Sequence, residues 1–175
     1  MKYCSACGAS VSLKVPENED RLRHVCDACG AIHYQNPKII TGVVAEWQGQ
    51  ILLCRRAIEP RQGFWTVPAG FMENGETTAH AAAREAREEA HVSLQNLRLF
   101  NVISIPQVNQ VHVMYHAQLV DGQFAAGVES LEVCLFHEHE IPWDDLAFPS
   151  VTATLEHYFQ DRKQGVQQVH NLELG

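Results

Sequence analysis

One stretch, from Gly70 to Val92, constrains the fold of this chain more than any other. Its first half contains two glycines and an asparagine, which interrupt a helix and let the backbone approach a ligand closely. Its second half, residues 78–90, is rich in alanine and predicts a helix. Thr77 or Thr78 can cap the start of that helix. The sequence therefore predicts a turn followed directly by a helix.

Three carboxylates lie on one face of the predicted helix. Glu85, Glu88 and Glu89 have the spacing i, i+3 and i+4, which brings their side chains together. Like charges repel at this distance, and a hard divalent cation such as Mg²⁺, which prefers oxygen ligands, would offset the repulsion. The alternative is a solvated acidic face with Arg84 and Arg87 as partners. The three glutamates alone leave both interpretations open.

The wider spacing resembles the Nudix box of the Nudix hydrolases, which cleave nucleoside diphosphates linked to another group. Gly70 is followed after five residues by Glu76, and after seven more by the run REAREE at 84–89. The sequence departs from the box twice, with His91 in place of a glycine and Ala86 in place of a bulky aliphatic residue. The glycine ends the helix with a positive φ, a conformation that histidine reaches at some cost.

The resemblance implies roles for the residues of the box. It implies four candidate ligands for catalytic Mg²⁺ or Mn²⁺, namely Glu85, Glu88, Glu89 and the carbonyl of Gly70. Glu85 could instead act as the general base, with Arg84 holding its carboxylate in position. Glu76 could bind metal or could close the loop by hydrogen bonds, and the sequence does not separate these roles.

Many Nudix hydrolases also use an acid from outside the box. Glu129 is the first candidate here and Glu132 the reserve, although either could be an ordinary surface glutamate. Arg55 and Arg56 follow a predicted core strand, so one is expected to face solvent and the other a substrate phosphate.

Four of the six cysteines are patterned as two Cys-x-x-Cys pairs, which are Cys4 with Cys7 and Cys26 with Cys29. This arrangement is typical of a structural zinc site with four thiolates, and it predicts a small zinc ribbon. Two disulfides are the alternative, which is disfavoured if the chain is cytoplasmic. Cys54 and Cys134 lie in apolar runs and are expected to be buried core thiols.

The charge of the chain bears on its partners. A formal net charge of -8 argues against a general affinity for nucleic acid or anionic membranes. No stretch of sequence is apolar and long enough to span a membrane, and the first residues lack the apolar run of a signal peptide. We therefore expect a cytoplasmic protein with a small-molecule nucleotide as its partner and no membrane or nucleic-acid partner.

The order of predicted elements indicates two domains, a zinc ribbon at 1–34 and a Nudix hydrolase domain at 35–175. Strands, a helix, further strands and a last helix predict an α/β (α+β) fold, a mixed sheet between helices in an α/β/α sandwich. Ser150 is expected to cap the last helix, at 151–163, and the final ten residues to be loosely held. On the strand at 111–119, His112 and His116 could touch substrate, but a solvated face is favoured.

The resemblance also suggests a substrate. A ribbon before the box is similar to the zinc-ribbon subgroup, which includes bacterial NADH pyrophosphatase and the plant chloroplast FAD and ADP-ribose pyrophosphatase. Residues 104–110 lack the Ser-Gln-Pro-Trp-Pro-Phe-Pro signature of the former, whereas 129–136, 140–143 and 146–148 resemble the latter. The resemblance implies Mg²⁺-dependent hydrolysis of FAD to FMN and AMP, or of ADP-ribose to AMP and ribose 5-phosphate, by a homodimer.

Three alternatives remain open at this point. The first is NADH pyrophosphatase activity. The second is decapping of NAD-capped RNA, against which the negative net charge of the chain counts. The third belongs to another class, a nucleotide-binding regulator without catalysis. It predicts loss of the box acids, which are all present here.

Overall fold

The computed structural model describes residues 1–175, which form two compact units, Met1–Asn36 and Pro37–Gly175. The first unit is a three-stranded antiparallel sheet made of β1 (Val11–Lys14), β2 (Arg23–Cys26) and β3 (Ile32–His33). This small sheet carries the ribbon that the cysteine pairs predicted. No helix in the chain has both the length and the apolar character needed to cross a bilayer.

The second unit is built on an eight-stranded mixed sheet. Its strands are β4 (Lys38–Trp47), β5 (Gln50–Arg56), β6 (Trp65–Thr66), β7 (Ala69–Phe71), β8 (Leu94–Ile105), β9 (Gln110–Leu119), β10 (Ser130–Phe136) and β11 (His170–Glu173). The main order is β10-β5-β4-β9-β8-β11, with β6 added to β5 and β7 added to β4. The pairs β4–β9 and β8–β11 are parallel, and the other pairs are antiparallel.

Two helices cover the two faces of this sheet, α1 (Thr78–Ala90) and α2 (Pro149–Gln164). On one face Ala86 and Ala90 of α1 pack with Val43 and Leu52 of the sheet. On the other face Leu155 of α2 packs within a separate apolar cluster. Small alanines let α1 lie close to the sheet, which accounts for Ala86 in place of a bulkier residue. The predicted mixed-sheet sandwich, preceded in the chain by a ribbon, is confirmed.

Two local predictions at the ends of the helices are wrong. Gly70 lies in strand β7 and pairs with Thr41 of β4, so the turn begins only after Phe71. Helix α2 begins at Pro149, one position before Ser150, and no side chain caps it. Proline suits a first helical position because its φ is already helical and its missing N–H is not needed there.

The final residues are also ordered differently from the prediction. His170–Glu173 form β11, parallel to β8, so the chain end is not loosely held as a whole. Leu172 and Leu174 pack against the core on the α2 side. The buried Asp161 of α2 contacts His170 at 2.9 Å. Little in the sequence indicated this strand, because Leu172 is its one apolar residue.

Strand β9 does not have a solvated face. Met114 belongs to the core beneath α2, whereas Ala117 belongs to the core beneath α1. Successive side chains of β9 therefore point alternately into the core beneath α1 and the core beneath α2. His112 is half-buried, and His116 contacts Glu46 at 3.3 Å. Expecting a solvated face for these histidines was wrong, because α2 covers it.

Candidate active site and zinc centre

The second unit contains a cavity of about 820 Å³ beside the carboxylate face of α1. Strands β4, β7 and β9, the loop after β5, the loop before β10 and the start of α2 complete its walls. The cavity brings together these predicted site residues: Arg56, Gly70, Arg84, Glu85, Glu88, Glu89 and Glu129.

Helix α1 is capped at both ends, which fixes the direction in which its glutamates project. The side chain of Thr77 accepts a hydrogen bond from the His80 amide at 3.2 Å. At the other end His91 has φ 53° and ψ 29°, and its amide donates to the Arg87 carbonyl at 3.0 Å. His91 thus adopts the left-handed conformation that the sequence predicted for this position.

Glu89 is the most deeply placed of the three helix carboxyls, with 7% of its surface exposed. It accepts a hydrogen bond from the Ala69 amide at 3.2 Å. Burial raises its pKa to about 8, and the nearby charges of Glu85 and Glu129 act in the same direction. Without a cation, Glu89 is therefore largely protonated at neutral pH.

Glu85 lies against β7, and only 9% of its surface is exposed. A Cβ atom on Gly70 would overlap the Glu85 carboxyl group, so a larger residue at this position would displace that carboxyl. Burial raises the pKa of Glu85, while the adjacent Arg84 opposes the change. The glycine thus leaves room for a carboxyl group beside the Gly70 backbone.

Arg84 connects the carboxylates of this site. It donates to Glu85 at 2.7 Å and to Glu88 at 2.9 Å, and to Glu76 at 2.7 Å. Glu76 also accepts from the Glu73 amide at 3.0 Å, and Arg84 lowers the pKa of Glu76 to about 2. Glu76 therefore closes the loop before α1 and faces Arg84, which matches one of its two predicted roles.

The two acids outside the box lie in different places. Glu129 lines the cavity, and its charge contributes to the raised pKa values of Glu85 and Glu89. Glu132 is exposed on β10, does not line the cavity and approaches Arg55 at 3.7 Å.

The two adjacent arginines diverge. Arg55 is exposed and donates to the Gly63 carbonyl at 2.9 Å. Arg56 lines the cavity, with its guanidinium 5.2 Å from the centre of the Phe148 ring. The structure places one arginine outside the cavity and one inside it.

Sequence reasoning named His112 only as a disfavoured substrate contact, and it missed the apolar residues of the cavity wall. His112 lines the cavity, contacts Gln110 at 3.1 Å, and has a pKa lowered by burial. Phe71, Val128 and Phe148 add apolar surface. Only His112 could have been found from the sequence. His112 and the apolar Met114 are two positions apart on β9, so they lie on the same face of the strand, and an apolar neighbour indicates that this face is covered.

The four patterned cysteines come together in the first unit. Their Sγ atoms all lie within 4.8 Å of one another, with Cys7 and Cys26 at 3.4 Å and Cys4 and Cys29 at 3.8 Å. Tetrahedral zinc–sulfur bonds would separate the sulfurs by about 3.8 Å. The amides of Cys29 and Ala28 lower the pKa of Cys26 to about 6. The four thiols fit a zinc ion, and none forms a disulfide.

The other two cysteines differ from each other. Cys54 is fully buried, as expected, and burial raises the pKa of its thiol. Cys134 is only partly buried, so its assignment to the core was wrong. It lies on β10, an edge strand of the sheet.

A carboxylate-lined helix against a mixed sheet, preceded by a four-cysteine ribbon, defines a metal-binding α/β domain with a zinc-ribbon unit. Two family descriptions match the chain, Nudix N-terminal (zinc ribbon) at residues 2–35 and NUDIX domain at residues 36–159. The chain therefore belongs to the NUDIX hydrolase family.

Relatives and solved structures agree with this family. Proteins named NAD-capped RNA hydrolase NudC are 37% identical over 131 residues in Photobacterium profundum and 36% identical over 145 residues in Haemophilus influenzae. The alignments cover 74% and 80% of this chain, but 47% and 48% of those relatives. The chain thus spans about half the length of these relatives.

A crystal structure of a NUDIX hydrolase from Nitrosomonas europaea is 47% identical and covers 99% of both chains, with a TM-score of 0.96. An ADP-ribose pyrophosphatase from Streptococcus suis has a TM-score of 0.62 at 18% identity, covering 78% of this chain and 99% of that chain. The second likeness concerns the fold alone.

Proposed function

We propose that this protein hydrolyses the P–O–P bridge of a dinucleotide or an ADP-ribosyl compound, with a divalent metal ion. The observation that carries the proposal is the buried carboxyl cluster of Glu85 and Glu89 opening on a cavity of about 820 Å³. Burying a charged carboxyl group is costly unless it is paired or binds a metal, and titratable groups perturbed in this way in a cleft are characteristic of functional sites.

The residues present fit magnesium or manganese, which both favour oxygen ligands. Glu89 supports the fit because burial raises the pKa of its carboxyl group, so that a nearby cation would favour its ionised form. Glu85, Glu88, Glu89 and the Gly70 carbonyl would hold the metal. When bound, the metal would offset the charge of the diphosphate and lower the pKa of a water molecule.

The side chains of the chain itself would orient the reactants. Glu129 is our candidate for taking the proton from the attacking water, because it lines the cavity and Glu132 does not. Glu85 is the alternative base, held in place by Arg84 at 2.7 Å. Arg56, which also lines the cavity, would pair with a substrate phosphate.

FAD or ADP-ribose is the first candidate substrate. The support is the resemblance of residues 129–136, 140–143 and 146–148 to the plant chloroplast type, and the absence at 104–110 of the signature of the NADH enzyme. The apolar walls offered by Phe71, Met114 and Phe148 suit a flat ring in either case.

NADH or NAD-capped RNA is the second candidate. Its support is the name of the relatives, NAD-capped RNA hydrolase. A net charge of -8 favours a small dinucleotide over a capped RNA, since the phosphates of RNA would be repelled.

The test is product analysis with purified protein and Mg²⁺. FAD, ADP-ribose, NADH, NAD and a short NAD-capped RNA are supplied separately, and the products are resolved by chromatography. The double variant Glu88→Gln Glu89→Gln should abolish cleavage, whereas Glu132→Gln, an exposed acid outside the cavity, should not.

The outcomes separate the candidates. Fastest release of FMN and AMP from FAD would support the first candidate. Fastest cleavage of NADH or of capped RNA would support the second. Tight binding without cleavage of any compound would overturn the catalytic proposal in favour of a nucleotide-binding regulator.

The family resemblance also supports a homodimer in the cytoplasm. Light scattering of the purified protein at micromolar concentration should give a mass of twice the 19.6 kDa chain. A mass equal to one chain under these conditions would contradict the homodimer.

A further inference from the structure

The loop that carries Glu129 is fastened to the carboxyl end of α1. The Ala125 amide donates to the Ala90 carbonyl at 3.0 Å, and the Gly127 amide donates to the Glu89 carbonyl at 3.0 Å. These carbonyls belong to the last turn of the helix, where no later helical amide is available. The loop therefore completes the hydrogen bonding of the same helix that carries the carboxylates.

Gly127 lies directly against the backbone of α1. A Cβ atom on Gly127 would overlap the Glu88 carbonyl oxygen and lie 2.9 Å from the Glu88 carbonyl carbon. It would also lie 3.1 Å from the Cα atom of Glu89. All three atoms belong to the backbone and cannot rotate away, so any side chain at position 127 must push the loop off the helix.

The backbone at Glu129 is fixed on both sides. The Ser130 amide donates to the Gly127 carbonyl at 3.1 Å, which closes a tight turn around residues 128 and 129. The Ala57 amide donates to the Glu129 carbonyl at 2.8 Å. Val128 is 97% exposed and packs against little, so these backbone bonds hold the turn without help from its side chain.

We propose that Gly127 is a positioning residue for the reaction, whose missing side chain holds the loop against α1 and keeps the Glu129 carboxyl beside Glu85 and Glu89. This inference rests on the proposed function, in which Glu129 takes a proton from water. A displacement of about 1 Å at such a group can cost on the order of 100-fold in rate.

The test is a double-mutant cycle on kcat. Glu129→Gln should lower kcat about 100-fold, as expected for loss of a proton acceptor. Gly127→Ala should lower kcat at least about tenfold and leave KM within about twofold, because the substrate contacts remain. If Gly127 acts through Glu129, the double variant should be no slower than Glu129→Gln alone.

The matched control is Ala126→Gly, which loosens the same loop without any collision and should leave kcat within about twofold. Multiplicative losses in the double variant, or full kcat in Gly127→Ala, would overturn the proposal. Thermal unfolding and near-UV circular dichroism establish that each variant is folded.

A second measurement does not depend on turnover. Mn²⁺ bound at the helix carboxylates should broaden the carboxyl carbon signal of Glu129 in selectively labelled wild-type protein and in Ala126→Gly. The broadening should be weaker in Gly127→Ala. Equal broadening in both variants would overturn the positioning role, whereas wild-type protein that cleaves nothing would instead remove the proposed function.

Discussion

Glu89 is the proposed metal ligand with the least exposed carboxyl group, and its position would couple the protein to a cation. Its carboxyl is almost fully buried, and burial raises its pKa to about 8. A metal ion binds only the ionised form, so binding at neutral pH has to release the proton of Glu89. The metal affinity of the site should therefore depend on pH up to about pH 8, well above the range in which ordinary carboxyl groups titrate.

The first prediction follows from this proton release. Below about pH 8, each unit of decrease in pH should weaken Mn²⁺ binding about tenfold, because one further proton must leave. Calorimetric titrations in buffers of different ionisation heat measure both the affinity and the protons released. Glu89→Gln should bind Mn²⁺ more weakly and lose most of the pH dependence. An affinity that is constant between pH 6 and 8 would contradict the assignment.

The same residue predicts how stability varies with pH when no magnesium or manganese is added. The folded pKa of about 8 exceeds the ordinary value of 4.5, so the folded state holds the proton more tightly than the unfolded state. The contribution of Glu89 to the free energy of unfolding should therefore be greatest below about pH 4.5. It should fall as the pH rises towards 8. The loss is on the order of 4 kcal/mol.

Urea unfolding of the zinc-loaded protein from pH 5 to pH 8 measures this effect. Glu89→Gln should be less sensitive to pH across the window, because its amide does not ionise. Added Mg²⁺ should reduce the loss in the wild-type protein, because ligand binding stabilises the folded state. Stability that rises with pH in the absence of these metals would show that Glu89 does not dominate.

Among the elements, α1 shows what local sequence can predict. Its bounds, its cap at Thr77 and the left-handed His91 all follow from residues within a few positions of each other. The clustering of Glu85, Glu88 and Glu89 on one face is equally local, because it depends only on helical spacing. The candidate metal ligands could therefore be named without knowing the rest of the fold.

Strands β7 and β11 show why other elements could not be predicted. Each is short, and each is stabilised by a partner distant in sequence, β4 for β7 and β8 for β11. The remaining cavity walls have the same origin, since Arg56, Phe148 and Val128 come from three separate loops or element ends. A site assembled from distant segments leaves no continuous pattern in the sequence.

Strand β11 allows a prediction at the scale of an element. Leu172 and Leu174 are partly buried against the core beneath α2, so Leu172→Ala should lower the free energy of unfolding by about 1 to 2 kcal/mol. Urea unfolding measures the change. Val169→Ala, at an exposed position in the same segment, is the matched control and should change stability by less than about 0.5 kcal/mol. Equal effects of the two substitutions would indicate that β11 adds little.

For the whole molecule, the division into two units has a thermodynamic consequence. Residues 37–175 have two apolar clusters of their own, whereas the buried apolar residues of residues 1–36 are Cys4 and Cys26. A unit of this size with so small a core depends on its metal, and zinc supplies on the order of 10 kcal/mol to such ribbons.

Removing zinc should therefore unfold the first unit and leave the second folded. Hydrogen exchange after treatment with a zinc chelator should show full loss of amide protection at residues 1–36 and retained protection in β4, β5 and β9. Cys26→Ser should reproduce this pattern without chelator, whereas Cys134→Ser, which removes a thiol outside the ribbon, should leave both units protected. Loss of protection across residues 37–175 would instead show that the folding of the second unit requires zinc in the first.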